Sequence, residues 1–357
     1  MKKVLLVGGA GYIGSVLAHE LLERGYAVRI LDRMYFGDQG LADIRDRVEI
    51  VVGDMRAMPA LTLDNVEAVI NIAGLSNDPT AEYNPAANYA MNTTASVELA
   101  QACIQRGVRR YIYASSCSIY DFGVLDHNQD VILDETADVQ PRAAYSSSKF
   151  AAEKGLLPLA SEKFCVSILR KGTLFGFSPR MRYDLVVNTF VKDAMSKGQI
   201  RLHYGGEMWR PLVEIRDAAR AYIALIQAES EAVNGQIFNL VYANLRISEL
   251  ALRVREVLRE LGVEAEIKAE YAYKGVRNYR VTGEKLYRIL NFRPKVTVEE
   301  SVRTMVQEIR RANYTDFENP KYYNISWMRL LEEANKIVQI TGSVFGVKEQ
   351  PGLAMSA

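Results

Sequence analysis

The chain has 357 residues, 49% of them hydrophobic, with 44 Lys and Arg set against 43 Asp and Glu for a net charge of +1. Such a length exceeds a typical single domain and can bury a large core. A balanced charge gives no field to draw nucleic acid or an anionic membrane, and no apolar run approaches the roughly 18 residues of a membrane span.

Lys3-Val4-Leu5-Leu6-Val7 is a short apolar run that suits a buried parallel strand. A cleaved leader is not expected, because removing it would take away the glycine turn that follows. That turn is Gly8-Gly9-Ala10-Gly11-Tyr12-Ile13-Gly14, and a helical pattern then runs through Val16, Leu17, Leu21 and Leu22. Glycines in this spacing serve a tight turn, the approach of backbone to a pyrophosphate, and close packing of helix on strand. The helix N-terminus offers free N–H groups and a positive dipole end to the phosphates. A second strand, Ala27 to Leu31, ends at Asp32, about 20 residues on, where a carboxylate accepts from an adenosine ribose and repels a 2′-phosphate. NAD is thus favoured over NADP, with Gly8, Gly11, Tyr12, Ile13, Gly14 and Asp32 as cofactor residues. Arg33 stands next in line and can tolerate a 2′-phosphate. A glycine fingerprint alone is often just a turn; here strand, fingerprint, helix, strand and acid arrive in the required order.

Further strands are predicted at Val48–Val52, Ala68–Ile72, Arg110–Tyr113 and Val166–Leu169, with long helices at Ala86–Gln105 and Ala143–Ala160. That alternation argues for an α/β fold, a doubly wound parallel sheet of the Rossmann type. Within the second long helix, Tyr145-Ser146-Ser147-Ser148-Lys149 places a phenol and an ammonium one turn apart. A neighbouring cation favours the phenolate, as would an oxidised nicotinamide. Tyr145 is therefore expected to be partly ionised and able to take a hydroxyl proton while the carbon beneath loses hydride.

From Gly172 onward the regular repeat stops, and helices are predicted at Asp184–Lys197, Ile215–Ala228, Ser248–Leu261, Val298–Arg311 and Ile325–Val338. Residues 1–171 are read as the dinucleotide-binding body, 172–341 as mainly a smaller α/β substrate domain with segments returning to the first body, and 342–357 as a flexible tail. His19, His127 and His203 are isolated. Cys103, Cys117 and Cys165 lack metal or redox spacing and suit buried thiols in a reducing cytoplasm.

Taken together, these residues resemble the extended short-chain dehydrogenase/reductases, specifically the NAD-dependent sugar-nucleotide epimerase/dehydratase group, from roughly Lys2 to Ile309. The likeness is carried by the Gly8/Gly11/Gly14 turn, Asp54, Asn71-Ile72-Ala73-Gly74, Asn92, Ser115-Ser116, Tyr145/Lys149 and Gly176, in the family's order. It implies that Asp54 and Met55 flank the adenine and that Ala73 and Gly74 lie along the cofactor. Asn92 and Ser115 are also implied at the cofactor, and Lys149 at the nicotinamide ribose. Ser116 matches the catalytic Ser/Thr that holds the reacting sugar hydroxyl; a bland alternative is a run of small residues after a strand. Thr173 stands where the family usually has asparagine, and with Asn188, Arg210 and Arg277 it is implied at the nucleotide-sugar substrate. Arginine's planar fork suits a diphosphate.

The implied chemistry is hydride transfer from a sugar C4, with Tyr145 accepting the hydroxyl proton, Ser116 steadying the oxygen and Lys149 lowering the phenol's pKa. Dehydratases of the group carry Asp-Glu where this chain has Cys117-Ser118, and decarboxylases keep the glutamate, so both branches are disfavoured. Cys117 is read as structural. A UDP-sugar 4-epimerase is favoured. The stretch Ser178-Pro179-Arg180-Met181-Arg182 keeps a GDP-sugar 4-dehydrogenase in play. A non-catalytic NAD sensor is disfavoured by the intact Ser116, Tyr145 and Lys149. The resemblance also implies a homodimer, paired through the two long helices.

Overall fold

The computed structural model describes residues 2–121, 131–271 and 277–342; His127 and the segment 343–357 of the expected tail lie outside them. Seven strands form the central sheet: β1 (Lys3–Val7), β2 (Ala27–Asp32), β3 (Val48–Val52), β4 (Ala68–Asn71), β5 (Arg110–Ser116), β6 (Cys165–Lys171) and β7 (Gln236–Leu240). Their order is β3-β2-β1-β4-β5-β6-β7, every neighbouring pair parallel. Alternate side chains feed two cores, as the two-residue strand period requires. Leu6, Ile30 and Ile112 pack with Leu17 and Leu21 of the helix Tyr12–Glu23 and with Tyr222 of the helix Ile215–Gln227. Leu5, Val69 and Tyr111 face the other way, onto Leu99 of the helix Ala95–Gln105 and Leu156 of the helix Ala144–Leu156. Both faces are covered, which is why β1 reads as an apolar run through Val4–Val7 and every residue of β6 is buried. Strand order reverses between β1 and β4, and in such sheets the ligand crevice opens at the carboxyl ends beside that switch point.

Two strands outrun their predicted ends. β5 continues through Ala114, Ser115 and Ser116, and β6 through Arg170 and Lys171, because polar side chains there are buried against partners rather than turned to water. The predicted helix Ala86–Gln105 is three pieces: Pro85–Tyr89, a π-helical turn at Ala90–Thr94, and Ala95–Gln105. β7 was not foreseen, since it comes from the half of the chain where the repeat breaks down. Beyond the main sheet, Thr173–Phe175 pairs with Trp209–Glu214, which pairs in turn with Ala243–Arg246. The helices Val186–Lys197, Ile247–Glu260 and Val298–Arg311 pack beside this smaller sheet, the last opened by a Thr297/Glu300 capping box.

Under the sheet's carboxyl edge lies one buried ion pair, Arg170–Glu153 at 2.6 Å, with side chains 3% and 1% exposed. Arg170 also donates to the Tyr120 hydroxyl at 2.7 Å, which donates to Asn239 at 2.9 Å, and the Ser115 hydroxyl donates to Glu153. This network ties β5, β6 and β7 to the helix that carries Tyr145. Removing one member leaves an uncompensated buried charge, a loss of about 3–5 kcal/mol. Glu153→Ala is therefore expected to lower the thermal midpoint sharply, and an unchanged melting curve would refute the network's structural role.

Candidate active site

At the nucleotide end the backbone leaves no space for side chains. Gly8 has φ +89°, and a Cβ there would sit 2.8 Å from Ala73 Cα; a Cβ on Gly14 would sit 2.5 Å from the Gly8 carbonyl oxygen. The helix Tyr12–Glu23 starts at Gly11 without a side-chain cap, so its first N–H groups remain available to an anion. Asp32 closes β2 and accepts from the N–H groups of Ala10 at 3.0 Å and Met34 at 2.9 Å. Burial pushes its pKa above the usual value despite those bonds. Arg33 is committed elsewhere, paired with Asp54 at 2.9 Å and stacked over Tyr35 at 4.2 Å. Arg56, then Arg33, hold the Asp54 carboxyl below its usual range. Gly8, Gly11, Tyr12, Ile13, Gly14, Asp32, Arg33, Asp54, Met55, Ala73 and Gly74 all line one continuous cleft. Turn, uncapped helix and terminal acid fit a dinucleotide.

The same cleft ends at Ser116, Tyr145, Lys149 and Thr173. Ser116 is the last residue of β5, and its hydroxyl accepts from Ser118 N–H at 3.1 Å. Burial raises the Tyr145 pKa in the free chain, and the strongest opposing charge is Arg277, with Ser116 and Arg182 contributing less. Here the i,i+4 lysine is not among the charges that lower it. Lys149 Nζ lies 4.7 Å from the Tyr113 ring centroid and 6.0 Å from that of Tyr145. Burial and the nearby Lys171 push Lys149 well below the usual lysine range, so in the free chain it is a poor source of charge.

Four expected site residues are not on the cleft wall. The Ser115 side chain points beneath the sheet edge to Glu153. Asn92, in the π-turn, donates to Leu75 O, Asn88 and Ser148, bracing the catalytic helix; its Oδ1 is buried without a partner. Asn188 spends its amide on Gly176 N–H, Tyr12 hydroxyl and Arg182 O, pinning the Gly176 turn to the glycine-turn tyrosine. Arg210 is buried and donates to the carbonyls of Trp209 and Arg277. Arg277 does line the cleft, between Asp78 and Asp121, the latter 3.6 Å away. Asp121 thus serves as a second counter-charge to Arg277.

Unforeseen wall residues are Lys171, Arg180, Arg182, Asp184, Asn324 and Met328. A lysine ending an apolar strand, and the alternation Arg180, Arg182, Asp184 just after Gly176, were the available signals. Nothing in the sequence linked Asn324 or Met328 to the cleft.

Fold and site together define a dinucleotide-dependent enzyme of the Rossmann type. A model of the NAD dependent epimerase/dehydratase family matches residues 4–240, and the chain belongs to that family. Among curated proteins it is 26% identical to a UDP-N-acetyl-alpha-D-glucosaminuronate decarboxylase of Bacillus cytotoxicus, over 87% of this chain and 98% of that one. It is 24% identical to a putative UDP-glucose 4-epimerase of Methanocaldococcus jannaschii, over 87% and 100%. The solved structure of MoeE5 in complex with UDP-glucuronic acid and NAD superposes with a TM-score of 0.74 at 24% identity, covering 87% of this chain and 99% of MoeE5. The enzyme is NAD-dependent, of the short-chain dehydrogenase/reductase type; its relatives differ in reaction.

Lys171 gives a quantitative handle on the cleft. Its side chain is 8% exposed and its ammonium donates to Ser115 O at 2.5 Å. Burial pushes its pKa from 10.5 down to about 8. The unfolded chain therefore binds the extra proton between about pH 8 and 10.5, so stability rises with pH across that window and carries the full penalty below it. A shift of that size corresponds to on the order of 3 kcal/mol. Lys171→Met is expected to raise the melting point of the dinucleotide-free protein at neutral pH, with the gain shrinking toward pH 10.5. A gain that ignores pH, or a loss, would count against the buried cation.

Proposed function

We propose that this chain is a nucleotide-sugar 4-epimerase, acting on a UDP-sugar through a transient 4-keto sugar. What carries the reading is that Ser116 and Tyr145 meet at one end of a cleft whose carboxylates each have a partner. Asp54 is held by Arg56 and Arg33, Asp78 by Arg277 and Asp184 by Arg182, while Asp32 takes two backbone N–H groups. Cys117 and Ser118 occupy the positions of the dehydratase acids. Cys117 is buried, donates to Arg170 O at 3.2 Å, and is pushed above the usual thiol range. Every described wall carboxylate is therefore engaged, which leaves none to serve as the C5 acid/base that elimination or decarboxylation requires.

NAD, when bound, supplies the hydride acceptor. Tyr145 takes the proton of the C4 hydroxyl and Ser116 donates to the same oxygen, so that charge does not build on it. Arg277 lowers the phenol's pKa, and Lys149 holds the nicotinamide ribose. The 4-keto sugar turns in the cleft and receives hydride on its other face. Thr173 and Arg277 contact the substrate from the wall. A second reading, a GDP-sugar 4-dehydrogenase, draws support from Arg180 and Arg182 of the Ser178–Arg182 stretch standing in that wall.

The chain is further proposed to form a homodimer through the adjacent helices Ala95–Gln105 and Ala144–Leu156, with Tyr89 and Ile104 exposed nearby. Among the described residues no helix is long and apolar enough to cross a membrane. Three buried free thiols support a cytoplasmic setting.

Incubating the enzyme with UDP- and GDP-sugars in D2O separates the readings. The expected NMR outcome is a C4 epimer that keeps its C4 hydrogen and gains no deuterium at C5. Stoichiometric build-up of reduced nicotinamide points instead to the dehydrogenase, and deuterium at C5 sinks both. Tyr145→Phe should lower turnover by roughly 10²–10⁴-fold with NAD affinity nearly unchanged; full activity would overturn the proton-transfer role. Light scattering at micromolar protein is expected to give twice the chain mass, and the mass of a single chain would remove the dimer.

A further inference from the structure

The two curated relatives are matched over 98% and 100% of their lengths but cover only 87% of this chain, so about 46 residues here have no counterpart in them. The sequence resemblance itself stops near Ile309. Past that point the chain does not trail away: it comes back across the dinucleotide cleft.

Its return is anchored in three places. An aromatic cluster seats it on the loop after Gly176, with Tyr183 5.4 Å from Tyr322 and 5.6 Å from Phe317 between ring centroids. Tyr183 N–H also donates to Tyr322 O at 3.0 Å. At the start of the helix Asn324–Thr341, Asn324 donates to Ser76, beyond β4, at 2.7 Å. One turn on, Trp327 Nε1 donates to Tyr35 O, beyond β2, at 2.5 Å. The helix thereby spans the two loops that flank the glycine turn, and Asn324 and Met328 enter the cleft wall.

Beneath it stands Arg180, 8% exposed, its guanidinium 3.7 Å over the Phe36 ring and donating to Asn324 Oδ1 at 2.7 Å. Its Nε is buried with no acceptor. Asp32 and Tyr12, both on the glycine turn's side, are among the charges it feels. A desolvated guanidinium with a spare donor in the wall of a dinucleotide cleft is matched by phosphate oxygen.

We propose that the C-terminal segment Tyr314–Thr341 is part of the dinucleotide site: it roofs the cleft, and Asn324 positions Arg180 against the cofactor's pyrophosphate so that the dinucleotide stays bound between turnovers. This rests on the dinucleotide occupying the cleft, not on which sugar reacts. It also deepens the epimerase reading, because hydride removed and returned within one turnover needs a retained cofactor, whereas a net dehydrogenase must release it.

The test uses the full chain loaded with NAD, with Asn324→Ala and Trp327→Ala beside it, and follows loss of bound dinucleotide after rapid dilution. At least tenfold faster release is expected from both variants, with melting points of the dinucleotide-free proteins close to that of the parent. Arg180→Met should weaken NAD and ADP-ribose alike, by about tenfold, since the pyrophosphate is common to both. Release unchanged in folded variants overturns the roof, even if the epimerase assay succeeds. A roof effect without epimerisation leaves this proposal standing and fails the sugar reading. Should a variant not fold, amide exchange over 324–341 in the unaltered chain decides: NAD must slow it, and equal exchange with and without NAD rejects the proposal.

Discussion

Buried positive charge is the constraint on which the cleft depends. Lys149, Lys171, Arg180, Arg182 and Arg277 all stand in its wall, and burial works against the charge of each. Two of them are compensated: Arg182 pairs with Asp184 at 2.8 Å and Arg277 with Asp78, and both guanidinium pKa values stay above the usual one. The other three form no ion pair among the described residues, and all three fall below their usual ranges. Two consequences follow from this division. The carboxylates that neutralise cations are withdrawn from proton transfer. The basic groups left over have their charge disfavoured by burial, and a ligand carrying several negative charges, such as a dinucleotide, would restore it.

The nucleotide half of this arrangement is legible in sequence because it is local. Between Lys3 and Asp32 each residue's task follows from its neighbours: an apolar strand, glycines where no Cβ fits, a helix start, and an acid at the next strand's end. Ser116, Tyr145 and Lys149 reach one cleft because strand end and helix run in the same sheet-and-helix layer. Arg210, Asn188 and Ser115 stand off the cleft wall for one physical reason. Each is a polar residue at a position that resembles a binding site, but its side-chain bonds are spent inside the protein, on Arg277 O, on Gly176 N–H and on Glu153. Whether a polar group faces ligand or protein depends on long-range partners. For Asn324 and Arg180 those partners are 144 residues apart.

Helical spacing carries a similar warning for Tyr145 and Lys149. Their i,i+4 relation sets proximity on one face, but it does not set the dielectric around them. Once buried, the lysine is itself discharged by desolvation and by Lys171, and the task of stabilising a phenolate passes to Arg277, which lies 132 residues beyond Tyr145 in the chain. The strongest charge opposing burial at the Tyr145 hydroxyl thus comes from the C-terminal half of the chain.

Arg277 does not act alone on that hydroxyl. Asp78, its ion-pair partner, raises the Tyr145 pKa while Arg277 lowers it. The two charges act on the phenol in opposite senses, Arg277 the more strongly. Asp121 adds a second acid beside the guanidinium, 3.6 Å from its Nε. Charge balance around Arg277 therefore adjusts a proton affinity that burial has already raised. Any anion that engages this arginine from the cleft competes with Asp78 and Asp121 and changes the field at the phenol, so that occupancy of this end of the cleft is coupled to the protonation of Tyr145.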